Sequence, residues 1–310
     1  MILITGGLGF IGTHVARALL DLGEPCVVTR HRSARRPAFL DDERLFVEPL
    51  DITDPSSFGE LGKRHPITGI VHLAGAGLGT GALDALAVNT LGLVNVLRAA
   101  ETWGVGRVAV ASTIGVYGGV AGNPLREDAP LPLPSPHVIP ATKKINEILG
   151  LCAAGGSGFG VVNLRIAAIW GPLGRDRSPF FATPRLVNAA VRGEEPFPPD
   201  RMPHAEDGID MCYVKDCGRA IALLQTASGL NHHTYNVGSG YATTNGQVAA
   251  AVRAAVPEAR FELPAGHDPA GPGEAIHLDT TRLREDTGFR PEYDIERAVA
   301  DYAGWLRAEG

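Results

Sequence analysis

The sequence predicts an α/β fold with a doubly wound parallel sheet and a smaller C-terminal lobe. Six short apolar runs alternate with stretches of helical periodicity, which is typical of βαβ units. The runs are apolar at successive positions, as expected for strands that helices cover on both faces. After residue 172 the chain becomes rich in proline and arginine (GPLGRDRSPFF, GEEPFPPDRMPHAEDG), which predicts an irregular lobe above the sheet.

The predicted elements follow one another along the chain. The strands are ILIT, PCVVT, LFVEPL, GIVHLAG, RVAVAST and GVVNLRIAAIW. Helices are predicted at about 11–22, 84–103 and 141–154. We expect a dinucleotide-binding domain over 1–172, joined by about 210–240, and a smaller substrate-binding lobe over 173–209 and 241–310 that acts as a lid.

The composition of the chain disfavours nucleic acids and membranes as partners. The 310 residues carry a formal net charge of −6, so the chain has no basic footprint for nucleic acid or anionic membranes. The N-terminus, MILITGG, has no basic region, and we find no apolar stretch near twenty residues, so we expect a cytoplasmic protein. The four cysteines lack the dense pattern of a disulfide scaffold, and Cys212 and Cys217 have no matching His/Cys pair nearby, which predicts free thiols and no metal site.

The first predicted strand runs into the turn GGLGFIG, which opens the first predicted helix. In a Rossmann unit Gly6 permits the tight turn, Gly9 lets a pyrophosphate approach the backbone, and Gly12 permits close packing of the helix. The helix N-terminus, with Phe10 and Ile11, offers amide donors to the phosphates. The turn therefore predicts a Rossmann fold that binds a nicotinamide dinucleotide.

The end of the second strand predicts which dinucleotide is bound. An acidic residue at this place accepts the ribose 2′-hydroxyl of NAD, but this sequence has Arg30 and Arg32, followed by Arg35 and Arg36. A guanidinium there pairs with a 2′-phosphate through charge-assisted hydrogen bonds. We therefore expect NADP rather than NAD.

Further motifs, in order along almost the whole chain, resemble the extended short-chain dehydrogenase/reductases, the NAD(P)-dependent epimerase/dehydratase family. They are LDITD, HLAG, VNTLG, ST before VYG, LRIAAIWGP, YVKD, YNVGSG and DTTRLREDTGFRP. The resemblance implies that Asp51 accepts a hydrogen bond from the adenine amine. It also implies a cofactor site that includes Ile52, Leu73, Ala74, Gly75 and Asn89.

The resemblance also implies catalytic roles. In this family a serine or threonine polarises the substrate oxygen, a tyrosine transfers the proton, and a lysine four residues later lowers the pKa of the phenol and binds the nicotinamide ribose. Thr113 and Lys143 match the hydroxyl and lysine positions, and Glu147 matches an acidic residue one helical turn later. The tyrosine position holds Ile139, which cannot transfer a proton.

Three explanations of Ile139 stay open: Tyr117 or His137 acts as the acid or base, directly or through water; the protein binds NADP without turnover; or its chemistry is not hydride transfer. The leading hypothesis is an NADP-dependent oxidoreductase or epimerase that acts on a carbonyl or secondary alcohol with an atypical proton donor. The alternatives are a non-catalytic NADP-binding sensor or scaffold, and a redox-neutral lyase, isomerase or cyclase that uses the same pocket.

Two departures from the family pattern concern the small-molecule substrate. Ile209-Asp210 stands where sugar-nucleotide enzymes carry an arginine that binds the diphosphate, and Ala168 stands where many carry an asparagine. A diphosphate without its guanidinium loses charge-assisted bonds of about 1.5–3 kcal/mol each. We therefore expect sugar nucleotides to bind poorly unless lid arginines compensate. Those arginines are Arg175, Arg177, Arg185 and Arg201.

The predicted oligomer is a homodimer. The helix at 84–103 has apolar residues on more than one face, which favours a buried or partner-covered position. The family resemblance implies a four-helix bundle formed by this helix and the helix near 141–154 of two subunits.

Overall fold

The computed structural model describes residues 1–31, 37–77, 79–135, 137–271 and 273–309. Arg32, Arg35 and Arg36, which the sequence predicts near the cofactor, lie outside the described residues. The described residues have the predicted α/β architecture, with a mostly parallel central sheet and helices on both faces.

The described residues form ten strands and nine α-helices. The strands are β1 Ile2–Thr5, β2 Cys26–Arg30, β3 Leu45–Pro49, β4 Gly69–His72, β5 Arg107–Thr113, β6 Gly160–Ile166, β7 Ala168–Trp170, β8 Gly208–Tyr213, β9 Thr234–Val237 and β10 Ala242–Thr244. The helices are α1 Phe10–Asp21, α2 Pro55–Arg64, α3 Ala82–Trp103, α4 Val138–Ala154, α5 Thr183–Arg192, α6 Val214–Thr226, α7 Asn245–Ala255, α8 Thr281–Thr287 and α9 Ile295–Glu309.

Seven parallel strands form the central sheet in the order β3-β2-β1-β4-β5-β6-β9. The chain builds outward from β1 to β3 and then returns to place β4 on the other side of β1. At such a switch point a crevice opens at the carboxyl ends of the strands, and ligands of doubly wound sheets bind there. The glycine turn follows β1 and therefore lies at this crevice.

The apolar run GVVNLRIAAIW, which we predict as one strand, is divided between two sheets. The N–H of Ala167 donates to the carbonyl of Val237 at 2.9 Å and ends the pairing with the central sheet. The next three residues form β7, which pairs with β8 in a second sheet of order β10-β8-β7. The prediction of a single strand is therefore wrong, because pairing with distant strands decides where the run breaks.

The second sheet has an apolar cluster of its own. Helices α5, α7 and α9 pack together around Trp170, Tyr213 and Tyr302. The segment after residue 172, predicted as irregular, thus contains a regular helix as well as loops. The domain limits expected from the sequence stay a prediction.

Helix α3 is the one described helix that is long and apolar enough to cross a membrane by length and composition, although we expect no such stretch from the sequence. Its Leu93 and Val96 belong to an apolar cluster shared with the central sheet. Its Asn95 is buried and donates to the carbonyl of Ile52 at 2.9 Å. We therefore interpret α3 as a core helix.

Candidate active site

A cavity of about 1050 Å³ lies above the carboxyl ends of the central strands, beneath the segment that follows β7. All four candidate catalytic residues line it: Thr113, Tyr117, His137 and Lys143. So do the predicted cofactor residues Gly6, Gly9, Phe10, Ile11, Gly12 and Leu73. Residues that lie up to 137 positions apart in the sequence are thus brought to one site.

The glycine turn is folded tightly against the start of α1. Gly6 has a φ of +68°, a conformation that favours glycine. Its N–H donates to Oγ1 of Thr29 at 3.0 Å, which ties the turn to β2. A Cβ on Gly12 would lie 2.4 Å from the carbonyl oxygen of Gly6, so a side chain at that position would push the helix away.

The N-terminus of α1 faces the cavity without a side-chain cap. Gly9 is the N-cap residue and forms no side-chain capping bond. The amides of the first helical turn have no partner within a helix, and Phe10, Ile11 and Gly12 line the cavity. Uncapped amide donors and the positive end of the helix dipole suit a pyrophosphate. The residues present therefore fit a dinucleotide.

Arg30 ends β2 and is exposed to solvent. Within the described ranges its guanidinium forms no hydrogen bond or ion pair. The preceding residue, Thr29, already accepts the Gly6 N–H. Arg30 is therefore available to a ligand at the end of β2, while Arg32 lies outside the described residues.

Of the residues expected near the adenine and in the loop after β4, Asp51 is exposed, whereas Ile52 and Asn89 are buried. Asp51 is exposed, and hydrogen bonds from Thr53 to its Oδ1, at 2.9 and 2.7 Å, hold the pKa of its carboxyl below the usual range. Ile52 is buried and packs against Gly92 of α3. Asn89 is buried, and its Oδ1 accepts the N–H of Ala76 at 2.8 Å.

Asn89 thus holds the loop that contains Leu73, Ala74 and Gly75. A Cβ on Gly75 would lie 2.6 Å from the Asn89 Oδ1. The N–H of Ala74 donates to Oγ1 of Thr5 at 3.3 Å. Of these three loop residues, Leu73 lines the cavity.

Lys143 lies on α4 and faces the cavity. Its side chain is half-buried, and this burial lowers the pKa of its amine from 10.5 to about 8. No hydrogen bond or ion pair links this amine to another residue in the described part of the chain. His72 lies near it, and burial together with the Lys143 charge lowers the pKa of His72 to about 3. The neutral His72 is bonded to Oγ1 of Thr5 at 2.7 Å.

Thr113, His137 and Ile139 line the same cavity with different chemistry. Thr113 Oγ1 accepts the N–H of Gly115 at 3.2 Å, which leaves its hydroxyl hydrogen for another acceptor. His137 is the exposed N-cap residue of α4, and its ring forms no capping bond. Ile139 lies one helical turn before Lys143, so an aliphatic residue and the lysine share one face of α4 at the cavity.

Tyr117 is held in a buried polar network. Its hydroxyl donates to Asn236 Oδ1 at 2.7 Å and accepts from Arg165 Nη1 at 2.9 Å. Burial raises the pKa of the phenol even though Arg165 lies beside it. A hydroxyl that already donates one hydrogen bond and accepts another is poorly suited to exchange a proton with a substrate. The geometry therefore disfavours Tyr117 as the acid or base.

The same network contains an ion pair that the sequence does not indicate as a unit. Arg165 Nη2 lies 2.8 Å from Glu147 Oε2, and both side chains are 7% exposed. Ser112 Oγ donates to Glu147 Oε1 at 2.5 Å. Glu147, noted in the sequence only for its position after Lys143, therefore fixes β5 and β6 beneath the cavity floor.

The end of the cavity away from the glycine turn is mostly apolar. Ile209 and Ile276 are paired by a β-bridge and both line it. Ala168, at the position where the family often has asparagine, lines it as well. Asp210 is fully buried elsewhere and accepts from the N–H groups of Ser239 and Leu278.

Of the four lid arginines, Arg175 is the one among the described lining residues. Arg185 instead lies over the ring of Phe197, with its guanidinium carbon 4.3 Å from the ring centre. Arg177 and Arg201 are exposed. Three of the four arginines that could replace the missing diphosphate contact are therefore not among the residues that line the cavity.

The cysteines and possible metal ligands lie apart from this site. All four cysteines are free, as predicted. His204, Asp207 and Asp268 place their ligand atoms within 4.8 Å of one another, outside the residues that line the cavity. Asp207 Oδ1 already lies 3.1 Å from Nδ1 of His267.

Comparison with known proteins gives a consistent picture. The chain is 29% identical over 328 residues to a UDP-glucose 4-epimerase of Azospirillum brasilense, covering 99% of this chain and 92% of the relative. It is 26% identical over 326 residues to a dTDP-glucose 4,6-dehydratase of an Actinoplanes species, covering 99% and 98% of the two chains.

Solved structures share the fold. A UDP-glucose 4-epimerase of Thermotoga maritima with UDP-glucose superposes with a TM-score of 0.82 at 23% identity, over 99% of both chains. The UDP-glucose 4-epimerase of Thermus thermophilus in complex with NAD gives 0.81 at 23% identity, over 100% and 99% of the chains. The model of the NAD-dependent epimerase/dehydratase family matches residues 2–238. The chain therefore belongs to the NAD-dependent epimerase/dehydratase family.

Proposed function

We propose that the protein is an NADP-dependent oxidoreductase or epimerase that interconverts a carbonyl and a secondary alcohol on a small molecule. The observation that supports this most is the amine of the half-buried Lys143, which has no partner in the described part of the chain. It shares one cavity with the uncapped helix N-terminus and with the hydroxyl of Thr113. An unpaired amine with a lowered pKa in a cavity favours a role with a ligand.

The chain's own residues can carry the proton steps of this reaction. A bound nicotinamide would supply or accept the hydride. Thr113 Oγ1 accepts the Gly115 N–H, so its O–H remains available to donate to a substrate oxygen. We propose that Lys143 binds the nicotinamide ribose and also provides the proton that the absent phenol would transfer. A pKa of about 8 lies close to neutral pH, which suits a general acid or base.

We also propose that NADP is preferred over NAD. Arg30 is exposed at the end of β2. It offers a planar guanidinium where an acidic residue would be needed to bind the ribose hydroxyls of NAD. Two solved structures that share the fold at 23% identity hold NAD, so the preference rests on Arg30 of this chain.

A non-catalytic NADP-binding sensor is the second candidate function. It is favoured by Ile139, because the side chain adjoining Lys143 cannot transfer a proton. The two functions differ in one measurable property, since the sensor binds NADPH without oxidising it.

A homodimer through α3 and α4 is proposed as the working assembly. These two helices pack together and leave a set of aliphatic side chains partly exposed. The set is Leu83, Leu91, Ile145, Ile148 and Leu151. Ile148→Glu places a charge in this set and should convert a dimer to a monomer in light scattering, whereas a wild-type monomer at micromolar concentration would contradict the proposal.

The decisive experiment follows NADPH oxidation over a panel of ketones and aldehydes, with NADP⁺ reduction over the matching alcohols. Turnover that Lys143→Met removes and that Tyr117→Phe and His137→Ala retain supports the proposed roles. Loss of turnover in His137→Ala alone would assign the proton to the histidine. NADPH binding with no turnover of any compound would favour the sensor.

A further inference from the structure

Strand β8 contributes Ile209 to one wall of the cavity. Successive side chains of β8 point to opposite sides of the sheet, so Ile209 and Asp210 cannot both face the cavity. Ile209 lines it. The carboxylate of Asp210 is turned away and is saturated: Oδ1 accepts from the N–H and Oγ of Ser239, and Oδ2 accepts from the N–H groups of Gly240 and Leu278.

A second isoleucine extends this wall. The β-bridge pairs Ile209 with Ile276, and the N–H of Asp210 donates to the carbonyl of Ile276 at 2.9 Å. Paired residues in neighbouring strands present their side chains on the same face, which agrees with both isoleucines lining the cavity. This hydrogen bond uses the Ile276 carbonyl within the protein, and both side chains offer a ligand an aliphatic surface.

Most of the other side chains that line the cavity are also apolar. They include Ile114, Val120, Leu125, Ile139, Ile166, Ala168, Ile169, Phe180 and Phe181. No acidic side chain is among the described residues that line the cavity, and the cationic ones are Lys143 and the exposed Arg175. Phe180 lines the cavity and is 67% exposed, so its ring is accessible to a ligand.

The energetics separate two classes of substrate. A diphosphate brought against this wall would lose its hydration without gaining charged partners, which is unfavourable. An uncharged molecule gains with each apolar group it buries, at about fourfold in affinity per methylene. The polar groups at the other end, Thr113 and Lys143, are sufficient to orient one oxygen.

We propose that the substrate of this site is a neutral ketone or secondary alcohol with an apolar body that lies against Ile209, Ile276 and Phe180. This inference rests on the proposed function for the identity of the reacting group. The apolar character of the subsite is independent of turnover and can be measured by binding alone.

The test is a calorimetric titration of the methyl ketones from 2-butanone to 2-octanone, and of UDP-glucose, into the NADP⁺-saturated protein. Affinity is expected to rise about threefold to fourfold per methylene, and UDP-glucose should bind at least about tenfold more weakly than 2-octanone. Affinity independent of chain length, or tighter binding of UDP-glucose, would overturn the proposal.

Variants separate the subsite from general effects. Ile209→Arg is expected to abolish the dependence on chain length, and Phe180→Ala, which alters an exposed side chain, should weaken 2-octanone binding severalfold. Leu22→Arg adds the same charge at an exposed position after α1. It should change neither the dependence on chain length nor the affinity for 2-octanone. Unchanged ketone binding in both subsite variants would contradict the proposal. The same titrations without NADP⁺ test the subsite even if the protein binds no dinucleotide, so the two proposals can fail separately.

Discussion

The two ends of the cavity differ in how closely they keep the pattern of the family. At the cofactor end the glycine turn, Thr113 and Lys143 match the positions that the family resemblance implies, and they line the cavity together with the uncapped start of α1. At the substrate end Ile139, Ala168 and Ile209 line the cavity at positions where the resemblance implies a phenol, an amide and a guanidinium. The contrast supports our proposal of a dinucleotide-binding protein whose substrate and proton donor differ from the family pattern.

The largest effect is expected where the two ends meet, at Lys143. If its ammonium supplies the proton, Lys143→Met should lower kcat for ketone reduction by about 10²- to 10⁴-fold. In the wild type the reduction rate should fall as pH rises through about 8, because the acid must be protonated, and alcohol oxidation should rise over the same range. A wild-type profile that is flat from pH 6 to 10 would contradict this role.

The polar network beneath the cavity is shared by both ends, and its loss should affect stability rather than selectivity. Arg165→Met leaves the Glu147 carboxylate buried without its cation, which should cost about 3–5 kcal/mol in the free energy of unfolding. Lys63→Met, which removes an exposed pair with Glu60, should change stability little. Urea unfolding measures the stability of both variants. Equal unfolding midpoints for Arg165→Met and Lys63→Met would refute the structural role of the buried pair.

Lys143, at the cofactor end, should lower the free energy of unfolding by a measurable amount. The pKa of Lys143 falls from 10.5 in the unfolded chain to about 8 in the fold, which corresponds to about 3 kcal/mol. Lys143→Met should therefore raise the free energy of unfolding at pH 7 without cofactor. Between pH 8 and 10.5 the unfolded wild type binds more protons than the folded protein, so wild-type stability rises with pH and the difference should shrink. A less stable variant at pH 7 would contradict the burial of an unpaired charge.

A smaller effect is expected at Arg30. Arg30→Ala should weaken NADP⁺ binding by about 1.5–3 kcal/mol and leave NAD⁺ binding nearly unchanged, because one charge-assisted contact is lost. Calorimetry with both nucleotides provides its own control. Equal affinities of the wild type for NADP⁺ and NAD⁺ would show that the guanidinium makes no such contact.

The sequence was most informative where contacts are local. The turn from Gly6 to Gly12 contacts its own helix, and its glycine pattern indicated both the Rossmann fold and the candidate cofactor site. Helix α2 carries an equally local signal, since Asp54 caps it and Pro55 begins it. Such signals depend only on residues a few positions apart.

The substrate end depends on long-range contacts and was predicted only in part. The break between β6 and β7 follows from pairing with β8 and β9, far along the chain. The role of Tyr117 depends on Arg165 and Asn236, which lie 48 and 119 residues away. The β-bridge between Ile209 and Ile276 also joins residues far apart in the sequence. The sequence therefore indicated which polar side chains are absent from the family pattern, but not that apolar residues form a wall there.

The decisive measurement is a calorimetric titration of NADPH into the wild type and Lys143→Met, with Lys63→Met as a matched control. We expect the wild type to bind NADPH and Lys143→Met to bind it more weakly by about 1–3 kcal/mol, because the ribose loses its partner. Lys63→Met should bind as the wild type does. Equal affinity in all three proteins, or no binding by the wild type, would contradict the claim that the cofactor end of the cavity holds a nicotinamide dinucleotide at Lys143.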